Sequence, residues 1–532
     1  MPPRAPRLRR RALTTFAALV GFAVAVFGAF WLVDYFLIDA TTAHHKEGPL
    51  GQLFDFDAQT MQNALGSLSQ VVASVLGIAI TVVSIVVQLA ATRYTSRVAD
   101  LFFRDKINIG VMGFFVIACV EAVWVSFTVR GDYVPQATVT ATVLMSSGSL
   151  LILVPYFAYV FDFLDPEKVI ARIGVQTLER ATARDARASD GGRTFTARQA
   201  QAVSGLAHLA DIAVNALGQK DKVIASDASA AMRRLLVDYQ SRKAELESEW
   251  FAIGAPLRGD PDFVALADES LDDLARHRTW LEWKGLRQIR EVYNAALDSM
   301  PEMAHVVAID TRYVGEAALS TGNREVFALV VKFMNTYLRA ALNGKNVRIA
   351  YNVFNQYRQL AEALLAPEAD ADWAEALVVE VAAHFKYYAR LAHANGMGFV
   401  TETAAYDLCA LCEVASARRS AAHDQLLAIF LEIDDRAEER ALRGVRKAQA
   451  KLASYYLANG EASRAQAIYE DMKDEPPERL RSIRDEMLAI TSKDFWEVVD
   501  RGTNFDYVSA ARKEKLRQFF SQFASLVMPA AE

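Results

Sequence analysis

The chain has 532 residues, 52% of them hydrophobic, and its mean hydropathy of +0.10 already lies on the apolar side for a globular protein. That composition excludes a disordered or fibrous chain. The 58 basic and 64 acidic side chains leave a net charge of −6, so no global positive excess marks nucleic acid as a partner, and three cysteines exclude a disulfide framework.

The apolar excess is concentrated at the front. After a basic N-terminus over 1–11 (Arg4, Arg7, Arg9, Arg10, Arg11), residues 12–33 carry no charge. Further apolar runs cover 67–92, 109–129 (broken only by Glu121) and 135–161. A helix rises ~1.5 Å per residue and the hydrocarbon core is ~30 Å thick, so about 20 residues cross it and each run suffices. Four transmembrane helices over 12–166 are therefore expected. The first run exceeds the 7 to 15 apolar residues usual in a signal peptide, and further spans follow it, which favours retention as an anchor.

Lysine and arginine flanks stay on the cytoplasmic side during insertion. The N-terminal arginines, then Arg93, Arg97, Arg104 and Lys106 in the second loop, then Lys168, Arg172 and Arg180 after the fourth span all agree. The first loop holds Lys46 alone among Asp34, Asp39, Glu47, Asp55 and Asp57. Both termini are expected inside, with everything after the fourth span cytoplasmic.

Within the spans, Gly21, Ala25, Gly28, Ala73 and Gly77 read as close-packing faces. The hydroxyls of spans two and four, such as Ser74, Thr81, Thr142, Ser146 and Ser149, satisfy local carbonyls or reach a neighbouring helix, and Pro155 is expected to kink span four. Glu121 and Gln88 are the candidate polar groups. A mid-membrane carboxylate costs ~2.5 to 3.5 kcal/mol, so Glu121 should face the bundle or water. One reading makes it part of an ion or proton path. The reading favoured here is a packing hydrogen bond, because no second intramembrane charge completes a relay.

The stretch Ser84-Ile85-Val86-Val87-Gln88-Leu89-Ala90-Ala91-Thr92-Arg93-Tyr94-Thr95-Ser96-Arg97, with Leu101-Phe102-Phe103-Arg104-Asp105 and Gly113-Phe114-Phe115, resembles the signature of a bacterial family of predicted membrane proteins, domain of unknown function 2254. The likeness covers about residues 65 to 180, with Ser96 where proline is expected. It implies a bacterial inner-membrane location and this topology, and no catalytic residue. By its own chemistry the basic segment, with Tyr94, Leu101, Phe102 and Phe103 beside its cations, suits an interfacial helix on anionic headgroups at about 1 kcal/mol per cation.

Residues 167–200 read as a juxtamembrane segment and linker, with Gly191-Gly192 as a hinge. From 201 to 532 strand signals are scarce, and apolar residues recur at helical spacing: Val326, Val330, Phe333 and Tyr337; Val347, Tyr351, Phe354 and Tyr357; Val381, Phe385 and Tyr388. Breaks fall at Gly254-Ala255-Pro256, where Arg258-Gly259-Asp260 is turn chemistry, and at Asn343-Gly344, Pro367 and Pro476-Pro477. Leu452, Ala453, Tyr456, Gly460, Ala465, Tyr469 and Pro477 have spacings that resemble the tetratricopeptide repeat, with Met472 in place of the usual alanine. Weaker helix, glycine turn, helix patterns recur at 319–323 and 391–396. A single repeat cannot bury its own face, so these units should stack into a curved array.

Catalytic motifs are absent from the sequence: no phosphate loop, no strand-associated G-x-G-x-x-G, no H-E-x-x-H. Cys409 and Cys412 read as a buried helical thiol pair. His44-His45 lack a scaffold to converge a metal site with the acids of their loop. The expected protein is all-α and not an enzyme, needs no cofactor and binds no nucleic acid. It is read as an inner-membrane anchor whose cytoplasmic helical domain binds a protein partner. The alternative is an oligomeric channel or transporter built from the four-span unit.

Overall fold

The computed structural model describes residues 20–22, 24–26, 28–29, 58–93, 99, 102–130, 134–183, 191–366, 371–434, 442–497 and 500–523. Among these the chain is helical, with no strands, and it divides into two compact units, 1–172 and 173–532.

The first unit packs α1 (Ala58–Arg93), α2 (Lys106–Thr128) and α3 (Gln136–Phe163) against one another. All three are long and apolar enough to cross a membrane. Only 22%, 28% and 22% of their most apolar windows are buried within the chain, so most of that apolar surface needs lipid rather than protein to cover it. The expected first span at 12–33 lies outside the described residues, apart from helical pieces at 20–22, 24–26 and 28–29.

Ala73 and Gly77 do not make the packing face of α1 against α2 and α3. Its buried positions are Leu65, Val72, Ala79, Val83, Val87 and Ala90, whereas Ala73 and Gly77 are exposed and Gly77 has nothing within 4 Å of a built Cβ. Branched side chains at near-heptad spacing fill the interface instead, because they offer more contact per turn than glycine does. The span hydroxyls bond their own helix: Ser74, Thr81 and Thr142 donate to carbonyls four residues back at 2.8, 2.9 and 2.9 Å. Pro155 lies buried inside α3, which continues to Phe163.

The second unit begins within α4 (Pro166–Ala181). Residues 184–190 lie outside the described residues, and Gly191-Gly192, read as a hinge, open α5 (Gly191–Gly218). Then follow α6 (Lys222–Arg242), α7 (Asp268–Arg276), α8 (Trp280–Ser299), α9 (Pro301–Ser320), α10 (Arg324–Asn343), α11 (Val347–Leu364), α12 (Ala371–Ala394), α13 (Gly398–Arg418), α14 (His423–Leu431), α15 (Arg443–Ala458), α16 (Ala462–Met472), α17 (Pro477–Ala489) and α18 (Ala510–Phe520). They form successive hairpins, α5 with α6, α8 with α9, α10 with α11 and α12 with α13. Each first helix also packs on the next first helix, and each second helix on the next second helix, so that α6, α9, α11, α13 and α15 make one continuous layer.

The turns explain the hairpins. Gly322, Gly396 and Gly460 adopt φ of +68°, +76° and +79°, where a side chain would be strained, and each follows a helix end. Close approach also needs glycine inside α9: a Cβ on Gly315 would lie 2.7 Å from Leu360 of α11 and 3.0 Å from Val330 of α10. The anticipated stripes are core throughout, except that Val347 is exposed at the start of α11, where the first turn precedes the interface. Pro476-Pro477 open α17 as expected; Pro367 falls outside the described residues. Asp260 of the anticipated turn accepts from the buried Lys284 ammonium at 2.9 Å, so it also ties that turn to α8.

Three histidines sit at helix interfaces, His423 buried and His305 and His384 half-buried. His423 Nε2 lies 2.7 Å from Tyr456 Oη, His384 Nδ1 3.1 Å from Tyr357 Oη, and His305 Nε2 3.5 Å from the Gln356 amide. Burial is the main cause that pushes each imidazole below its ordinary pKa. A base with a depressed folded pKa lets the unfolded state take up protons first, so this part of stability is complete above about pH 6.5 and erodes as the pH falls below it. Melting temperature measured from pH 8 to pH 5 is expected to fall across that window. The slope should flatten in a His305→Gln, His384→Gln, His423→Gln variant.

Candidate functional site

The membrane candidates do not converge. Glu121 is half-buried on α2, Gln88 is exposed on α1, and no hydrogen bond joins them. Arg104 and Lys106 are exposed around the start of α2; the Arg93 side chain and all of Arg97 lie outside the described residues, as do His44 and His45. A different polar cluster occupies that end of the unit. Asp105 caps α2, accepting the Ile107 amide at 2.9 Å, and also accepts the Tyr159 hydroxyl of α3 at 2.5 Å. Tyr156 donates to Asn108 Oδ1 at 2.7 Å, and Phe102 packs edge-on against Phe163. These bonds pin α2 to α3. The sequence carried a signal for them in the Asp105-x-x-Asn108 start ahead of an apolar run, which marks a helix N-terminus.

The larger site lies on the second-helix layer. Arg348, Asn352, Asn355 and Gln359 recur at helical spacing on α11, Glu402, Tyr406, Cys409 and Glu413 on α13, and Lys447, Lys451 and Ser454 on α15. Across these three stripes runs the non-helical segment 500–506, which belongs to the connection between α17 and α18.

Its contacts are mainly charge and aromatic pairs. Arg348 grips Asp500 with two bonds of 2.8 Å, and Asn352 adds one of 2.7 Å. Those donors hold the Asp500 carboxylate well below the usual range. Arg501 forks onto Asp407 of α13 at 2.7 and 3.0 Å, also donates to the Tyr351 carbonyl, and stacks 4.3 Å over the Tyr351 ring. Asp407 is 2% exposed and takes Arg358 of α11 as well, at 3.1 Å. Phe505 lies parallel to Tyr406 with ring centres 5.0 Å apart, and its carbonyl accepts Lys451 at 2.6 Å. Asp506 receives the Tyr406 hydroxyl and, at 2.8 Å, Lys447. Beyond it, Arg512 of α18 binds Glu413 at 2.8 Å.

Segment and stripes enclose a cavity of about 380 Å³, bordered by Arg358, Asp407, Glu413, Lys451, Arg501 and Thr503 among others. Arg501 Nε is buried there without a hydrogen-bond partner. Cys409 also borders it, and Cys412 lies one turn on; both are buried free thiols. Burial pushes Cys409 up to about 12 and raises Cys412 too. At about 12 against an ordinary 8.5, Cys409 carries on the order of a thousandfold less thiolate at neutral pH. Alkylation of the folded chain followed by mass spectrometry should therefore leave both residues unmodified. Unfolding in urea should expose them to complete labelling. Among the described residues no group of three or more His, Cys, Asp or Glu could hold a metal ion.

None of the residues 500–506 was singled out from the sequence. Their pattern is short and irregular, and its chemistry appears only when α11, α13 and α15 are side by side.

The fold and these sites define an α-helical protein with an apolar helical unit followed by a stack of helical hairpins. Residues 11–204 match the family model described as "Predicted membrane protein (DUF2254)", and that part of the chain is similar to this family. No curated protein matches the chain. A solved structure titled "Circular tandem repeat protein with novel repeat topology and enhanced subunit contact surfaces" is similar at 14% identity, over 88% of this chain and 97% of its own. Its TM-score of 0.26 is too low to define a shared fold.

Proposed function

We propose that the protein is a multi-pass protein of the bacterial inner membrane, with both termini cytoplasmic, that serves as a scaffold or sensor. Its membrane spans, contacting anionic headgroups through Arg93, Arg97, Arg104 and Lys106, hold the helical array at the cytoplasmic face, where the array binds a protein partner. The work is recognition, not bond-making. One observation carries this reading: the second-helix layer already holds a non-helical stretch of polypeptide through side-chain contacts spread over three successive helices of that layer. Stacked helical hairpins of tetratricopeptide type use such surfaces to bind peptides. A photo-crosslinker at Gln359, on the stripe but outside the ion pairs, is expected to trap one defined protein in cells expressing the full chain. Trapping only lipid-associated or random species would overturn the reading. A reporter at the C-terminus should be active in the cytoplasm.

An oligomeric channel is the second reading, supported by Gly66, Gly77, Gly110 and Gly113, none of which has an atom within 4 Å of a built Cβ, so that α1 and α2 offer close-approach faces to another copy. Ion flux in liposomes that is lost in Glu121→Gln would favour it.

A further inference from the structure

The segment 500–506 makes no ladder or helix with the array. It is held by side chains, together with the Tyr351 and Phe505 carbonyls, in an order that can be read off: carboxylate (Asp500), guanidinium (Arg501), three spacers, aromatic ring (Phe505), carboxylate (Asp506). Their complementary receptors lie on three helices: Arg348 and Asn352 on α11 for Asp500, Asp407 and Tyr406 on α13 for Arg501 and Phe505, and Lys447 on α15 for Asp506. Gly502, at φ +64°, turns the chain between the guanidinium and the ring, so both point at the same surface. The segment is fastened beyond both ends by other contacts: Lys513 of α18 donates to the carbonyls of Leu488 and Ile490 at 2.7 and 2.6 Å, and α18 itself packs on α15. Thus 500–506 can leave the surface while α17 and α18 stay in place. Its removal would open the 380 Å³ cavity and expose Tyr406 and Lys451 together with Asp407 and Lys447, the last two keeping Arg358 and Glu486 as partners.

We propose that this surface is a peptide-binding groove occupied in cis by the chain's own segment, and that its partner is a protein presenting the same turned pattern: acid, arginine, three residues, aromatic, acid. The proposal rests on the scaffold reading above and supplies the chemistry of the partner. Asp407, carrying both Arg358 and Arg501, selects arginine at the second position, because a lysine there cannot fork onto both carboxylate oxygens. Tyr406 selects a flat ring at the sixth, Lys447 with the Tyr406 hydroxyl selects the terminal acid, and Lys451 holds the backbone carbonyl of the sixth residue. The resident segment scales the apparent affinity of any competing chain by the fraction of time the groove is open.

The test uses the full chain in detergent and a fluorescent peptide of residues 500–509. In the variant Arg501→Glu, Phe505→Ala the resident segment loses its two central contacts, and every receptor residue is kept. That variant is expected to bind the peptide at least tenfold more tightly than the wild-type chain, and to ignore a peptide whose arginine is replaced by glutamate. Equal binding of both peptides, or of neither, by a folded open variant overturns the proposal. Should the variant not fold, the same titration is run on a chain cut at a protease site inserted at the exposed Trp496, with the same two outcomes. Dimerisation of the cut chain in place of peptide binding would assign the groove to a second copy and overturn a foreign partner. The peptide assay does not depend on finding a cellular protein, so its failure leaves the scaffold reading to the crosslinking experiment.

Discussion

Replacing Asp407 with alanine is expected to destabilise the helical array by about 3 to 5 kcal/mol, the usual cost of stranding a buried charge. The carboxylate is 2% exposed, and Arg501, whose side chain is 5% exposed, forks onto it. Without it that guanidinium keeps the Tyr351 carbonyl but has no counter-charge, and its Nε is already unpartnered. Arg358 suffers less, because Glu362 remains one turn away. The double variant Asp407→Ala, Arg501→Met should accordingly recover part of the loss, a coupling readable in a double-mutant cycle. Guanidinium unfolding followed by tryptophan fluorescence measures both, and a loss under about 1 kcal/mol for Asp407→Ala would contradict the buried pairing. Limited proteolysis supplies a local readout: cleavage within 491–509 should accelerate well before global unfolding.

Arg446→Met should cost a similar amount, about 3 to 5 kcal/mol, by the converse route. Arg446 on α15 is 3% exposed and gathers Asp434 at 3.1 Å, Asp471 at 2.6 Å and Glu475 at 2.7 Å, from the end of α14, from α16 and from the turn before α17. Methionine fills the space of the side-chain stem, so the loss is electrostatic and not a cavity effect. Asp434 and Glu475 are themselves buried; Glu475 keeps Arg479 at 3.4 Å and Asp471 keeps the Gln449 amide at 3.0 Å, neither a match for the close Arg446 cation. The deficit against wild type should narrow as the pH falls, because proton uptake neutralises the stranded carboxylates. A deficit that stayed constant from pH 7 to pH 5 would point to packing rather than charge. Since α15 also carries Lys447 and Lys451, the variant should loosen segment 500–506 too, linking the hairpin after α14 to the groove.

Much of the architecture was legible before any coordinates. Long apolar runs over 67–92, 109–129 (broken only by Glu121) and 135–161 correspond to α1, α2 and α3, because a lipid-crossing helix must be apolar nearly all round and such a run has few other solutions. The 3.6-residue spacing of Val326, Val330, Phe333 and Tyr337 marked α10, since a helix buries one side only. Glycine turns at 322, 396 and 460 were readable for a steric reason. In contrast, the face of α1 that meets α2 and α3 was not legible: Ala73 and Gly77 lie off it, because small residues permit close approach, but whether a neighbour accepts it depends on that neighbour's shape.

What the residues determined alone was therefore local and periodic: which stretches are helical, where they end, and which of them are apolar enough to need lipid. What tertiary structure alone decided was the pairing of distant charges. Asp407, Arg358 and Arg501 are separated by 49 and 94 positions, and no pattern along the chain distinguishes them from solvated surface charges. Electrostatic partnership depends on distance and burial, and both arise only when the hairpins stack. The groove is accordingly a property of the array, invisible in any one of its helices.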